Sequence, residues 1–65
     1  MLNISKIRQL RLAAGYSYEQ AATKAGFKNR QRWYAIENGD RQNVELATLN
    51  KIARALGVKA KELLK

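Results

Sequence analysis

The 65-residue chain contains no cysteine, no histidine and no proline. Without cysteine there is neither a disulfide framework nor a thiolate site. Without histidine the commonest metal ligand and proton shuttle is missing as well. Acids are scarce: five Asp and Glu stand against thirteen Lys and Arg. Glu19, Asp40, Glu45 and Glu62 form no acid–base or metal constellation, and no Gly-rich phosphate cradle is present, so neither an enzyme nor a metal site is expected. Apolar runs last only a few residues, too short to cross a bilayer, and residues 1–6 lack the apolar core of a signal peptide. A soluble, cytoplasmic protein is the expectation.

What is present is positive charge, a formal +8. That balance favours an anionic partner, with nucleic acid the first candidate and an acidic membrane surface the second. The length allows one small domain over 1–65, near the lower limit for folding without staples.

The four glycines organise the chain. Gly15, Gly26, Gly39 and Gly57 each follow a helix-like segment, where glycine is the usual left-handed stop. Asn3 or Ser5 can cap a first helix running to about Ala14. Ser17 can cap a second, with Gln20 completing a capping box. Asn29 caps a third, Asn43 a fourth ending at Leu56, and a short fifth spans 60–64. No segment alternates like a strand, so the fold class is all-α, with four to five helices. Ile4, Ile7, Leu10 and Ala14 form one apolar stripe; Leu46, Leu49, Ile52, Ala53 and Leu56 form another. Helix 2 offers mainly Ala21, Ala22 and Ala25, which admit another helix at close range. Trp33 is expected to fill the space these alanines leave, as the core anchor; the competing placement is outside, as a stacking platform for bases.

The segment 30–38 is the most informative. On a helical wheel, Trp33, Ile36 and Glu37 share one side and face a core. Gln31, Tyr34, Ala35 and Asn38 lie opposite, with Arg30 and Arg32 on the flanks. Arg and Gln carry the paired donors and acceptors that match guanine and adenine in the major groove; an ordinary solvated face is the alternative. Arg32 points away from the centre of the outward face, towards phosphate contact. Tyr34 can pack on a sugar or a thymine methyl, or simply brace the helix. Tyr16, just ahead of the Ser17 cap, sits where a hydrophobic staple belongs. Lys51, Arg54, Lys59, Lys61 and Lys65 read as solubilising surface.

Two charges lie on apolar stripes, Arg11 on helix 1 and Glu37 on helix 3. Charges are seldom buried unpaired, so the simplest arrangement is that the two meet in a structural ion pair. Otherwise Arg11 snorkels to solvent at the domain edge.

With these elements in order, the chain resembles the lambdoid phage repressor and Cro group, the XRE-type helix-turn-helix family. The matching features are Leu10-Arg11 ahead of Gly15, residues 17–26, Ile36-Glu37-Asn38-Gly39 and residues 46–58. The resemblance implies a compact, lambda-repressor-like DNA-binding domain whose helix-turn-helix is formed by helices 2 and 3. It implies a sequence-specific regulator of transcription on double-stranded DNA, a repressor, encoded by a prokaryote or phage and needing no cofactor or small-molecule ligand. Arg30 and Gln31 match the leading base-contacting positions of the recognition helix, and Ala35 a third, where a methyl group can touch thymine but donates nothing. Ser17 and Tyr18 match positions that meet the phosphate backbone, as do Arg41, Gln42 and Asn43 in the loop beyond the recognition helix. Arg11 and Glu37 match the family's internal ion pair.

The chain departs from the pattern by one extra residue between Gly26 and Ile36. Phe27-Lys28-Asn29 then makes an enlarged turn, and Asn29 or Arg32 can take a base-reading role in place of Arg30 or Gln31. Members of the family generally bind two-fold half-sites, so a homodimer formed mainly on DNA is expected. Leu12, Leu63 and Leu64 are candidates for a small dimer patch. The competing function is a protein-interaction adaptor on the same fold, antitoxin-like or coactivator-like.

Overall fold

Asn3 starts the first helix. Its side-chain oxygen accepts from the backbone N–H of Lys6 at 3.2 Å, satisfying one of the free donors that every helix start exposes. The computed structural model describes residues 2–39 and 45–64. Among these, four α-helices follow in order: α1 Ile4–Ala13, α2 Tyr18–Ala25, α3 Arg30–Glu37 and α4 Leu46–Leu56. A 3₁₀ turn over Ala60–Leu63 closes the chain. The described residues contain no strand, only an isolated antiparallel bridge between Leu2 and Leu64. The all-α helix-turn-helix architecture is that expected from the sequence.

α2 and α3 are built to meet. Ala21, Ala22 and Ala25 are all buried on α2, and their small side chains bring the α3 backbone close enough for Trp33 to be wholly enclosed. α2 packs most extensively against α3, and next against α4. Between α2 and α3 the chain reverses at Gly26, whose φ of 80° is a left-handed conformation that side chains other than glycine rarely adopt. The N–H of Phe27 closes this end on the Ala22 carbonyl at 2.8 Å. α4 then covers the other side of α2 with Leu49, Ile52, Ala53 and Ala55. Ile7 and Leu63 complete the floor beside Trp33, Ile36 and Ile52, all at 1% exposure or less.

Several sequence expectations need correction. Ala14 is not on the buried stripe of α1; it is the exposed residue that ends the helix, where the chain is already turning towards Gly15. Leu46 is 70% exposed although it continues the apolar stripe of α4, because it occupies the first position of that helix, beyond the reach of the core beneath. The cap position of α4 is Glu45, with no side-chain hydrogen bond, rather than Asn43, which lies outside the described residues. The final element is 3₁₀ rather than α. Leu63 is fully buried and so is unavailable to a dimer patch, whereas Leu12 and Leu64 are exposed.

Candidate nucleic-acid interface

Two helix beginnings frame the candidate face. At the start of α2 the Ser17 hydroxyl accepts from the Gln20 N–H at 3.1 Å, and the Gln20 side chain accepts from the Ser17 N–H at 2.9 Å. This reciprocal box fixes where α2 begins. At the start of α3 the Asn29 side chain accepts from the Arg32 N–H at 3.2 Å. Asn29 is therefore the cap, and Arg30 and Gln31 are the first two residues of α3.

Arg30, Gln31 and Arg32 are exposed, Tyr34 is half-exposed and Ala35 is half-buried. Ala35 thus shows solvent only part of its methyl group. Asn38 turns back on its own helix, donating from its side chain to the Tyr34 carbonyl at 2.8 Å. Arg32 leaves the outward face and lies over the Phe27 ring, 5.3 Å from its centroid. Ser17, Tyr18, Glu19, Arg30, Gln31 and Tyr34 together line an open groove of about 440 Å³ between the two helix starts. Arg41, Gln42 and Asn43 lie outside the described residues.

Beneath this face a buried carboxylate ties α3 to α1. Glu37 is 2% exposed. It accepts from Arg11 twice, Nε to Oε2 at 2.5 Å and Nη2 to Oε1 at 3.2 Å. Trp33 donates its indole N–H to the same Oε2, and Arg8 Nε reaches Oε1 at 3.4 Å. Four donors thus fill the roughly four acceptor directions of a carboxylate, and among the described residues no buried side-chain polar atom is left unsatisfied. Arg11 also donates to the Tyr16 carbonyl at 2.8 Å. Its hydrogen bond to Glu37 raises its pKa, partly opposed by burial.

Sequence reasoning did not foresee Arg8 or the Trp33 N–H as members of this cluster. Each had a signal in the spacing. Arg8 is three residues before Arg11, and Trp33 is four residues before Glu37, the separations at which helix side chains meet.

The sequence matches, over residues 5–64, the family described as a helix-turn-helix domain. The chain belongs to that family, as an XRE-type member. The helix-turn-helix is also similar to a solved structure, the crystal structure of SinR, the master regulator for biofilm formation, in complex with DNA. The two share 31% sequence identity with a TM-score of 0.86, over 95% of this chain and 97% of that one. A comparison with curated proteins finds no match. No helix among the described residues is long and apolar enough to cross a membrane.

Proposed function

We propose that residues 1–65 act as one helix-turn-helix unit that binds double-stranded DNA in a sequence-specific way and regulates transcription, as a repressor that occupies an operator. The observation that carries this reading is the face of α3. An 8-residue helix buries Trp33, Ile36 and Glu37 and holds Arg30, Gln31 and Tyr34 out to solvent beside the start of α2. The formal charge of +8 supports an anionic partner, and so does the likeness to a regulator solved on DNA.

In this reading Arg30 and Gln31 read base edges from the first turn of α3, with Tyr34 and the part-covered methyl of Ala35 in apolar contact. Ser17 and Tyr18 meet the phosphate backbone where α2 presents its unpaired N–H groups. Arg32 meets phosphate from the flank, and Arg41, Gln42 and Asn43 grip the backbone beyond α3. A short helix reads few base pairs, so two copies pair on a two-fold site.

Selection of duplexes from a random library by the purified protein, at roughly physiological salt, tests the reading. Non-specific affinity there is only about 10⁻⁴–10⁻⁶ M. Enrichment of a two-fold site with half-centres about one helical turn apart is expected. Salt-sensitive retention without enrichment overturns it.

A further inference from the structure

The ring of Tyr34 packs against α2. It meets Tyr18 of α2 edge to face, with centroids 5.4 Å apart and an interplanar angle of 83°, the arrangement that aromatic quadrupoles favour. Tyr18 is itself held from below, because the Arg11 guanidinium lies 4.4 Å from its ring centroid. Arg11 in turn is locked to the buried Glu37. A continuous chain of contacts, Glu37–Arg11–Tyr18–Tyr34, therefore runs from the core to a half-exposed aromatic on the outward face of α3.

The two tyrosine rings form the apolar part of the groove between the helix starts, while Arg30 and Gln31 stand on its rim. Polar donors beside a fixed apolar wall are what a base step offers in reverse. The purine edge carries the hydrogen-bonding pattern, and the neighbouring thymine projects a C5-methyl group into the major groove.

We infer that Tyr34 is a specificity-determining residue that recognises a thymine C5-methyl in the groove it forms with Tyr18, and that Tyr18 is the positioning residue that fixes its ring. The inference rests on the DNA-binding reading above and deepens it. An ordered ring makes its contact without a further loss of rotamer freedom, so the methyl preference depends on Tyr18 as well as on Tyr34.

The test uses the full chain and the duplex that wild type selects. Each thymine of that duplex is replaced in turn by deoxyuridine, which removes only the methyl group, and each cytosine in turn by 5-methylcytosine as a measure of general tolerance. At one thymine per half-site, wild type should lose about fourfold in affinity on removal of the methyl, the amount that burying one such group supplies. Tyr34→Ala, at a half-exposed position, should bind thymine and uracil duplexes equally. Tyr18→Phe keeps the edge-to-face contact and should retain the methyl effect, whereas Tyr18→Ala should weaken it. Selection of a site that shows no uracil-sensitive position, or one whose sensitivity survives in Tyr34→Ala, overturns the inference and leaves the DNA-binding reading standing. Failure to select any site overturns both.

Discussion

Trp33 donates its indole N–H to Glu37, one helical turn further along α3, at the oxygen that also accepts from Arg11 of α1. The largest buried side chain of α3 therefore also orients the carboxylate that fastens this helix to its neighbour. Packing and polar satisfaction converge on one pair, and the outward face of α3 takes its orientation from them.

Removing one partner of the buried pair is expected to be severe. Glu37→Ala leaves Arg11, 7% exposed, without its counter-charge, at a cost of about 3–5 kcal/mol. The double-mutant cycle with Arg11→Met, read by urea denaturation, should show strong coupling. Additive losses would mean the two side chains act independently. Arg8→Ala should differ: its side chain is half-exposed, and such a contact contributes less than about 1 kcal/mol.

Alkali should not release this pair. Arg11 has its pKa raised by the hydrogen bond to Glu37, so its contribution is fully present below the unfolded-state value and is lost only as pH rises through the higher folded-state value. Both lie far above neutrality. The difference in unfolding free energy between wild type and Arg11→Met should therefore stay constant from about pH 7 to about pH 9. A fall across that interval would assign the difference to another titrating group.

Trp33→Ala should cost about 3–5 kcal/mol, through the lost transfer energy and the cavity left under α2. Trp33→Phe isolates the polar share, since it keeps an aromatic ring but removes the N–H. A melt of Trp33→Ala that matches wild type would place the indole outside the core.

Gly26→Ala should destabilise by about 1 kcal/mol or more, although nothing lies within 4 Å of the position a Cβ would take. The cost is in the backbone, which holds a φ of 80° there. An unchanged or higher midpoint would mean that the turn relaxes to another conformation.

Base readout and phosphate contact predict different losses. Gln31→Ala should alter which sequences are enriched. Arg41→Ala should weaken all sequences alike and reduce the slope of log affinity against log salt by about 0.9. Equal losses on selected and random duplexes for Gln31→Ala would count against direct readout.

The parts of this fold that could be read from sequence are those set by local chemistry. Ser17 with Gln20, Asn29, Gly26 and Gly57 are capping residues whose preference is intrinsic, and they mark helix ends where the structure has them. Periodicity found the buried sides of α3 and of most of α4. It failed at Leu46 and Ala14 because a wheel knows direction but not whether a neighbour exists at that height. Leu63 went the other way: a short terminal segment offers too little periodicity to show that it plugs the core beside Ile7. On the candidate face, Arg30, Gln31 and Tyr34 were visible as an outward set. The bracing of Tyr34 by Tyr18 was not, since it depends on the crossing of α2 and α3 and no spacing within one helix encodes it.

The chain near its two ends is clasped. The Asn3 N–H donates to the Leu63 carbonyl at 2.8 Å, and Leu2 pairs with Leu64, so segments some sixty positions apart in sequence lie side by side. Mechanically, tension applied between these two segments loads a pair of strand-like contacts in a peeling direction before it reaches any helix. Topologically, whatever is joined at either side emerges from the same spot. A short tether between them would close residues 2–64 into a ring without bending a helix, and would leave the face that carries Arg30, Gln31 and Tyr34 untouched.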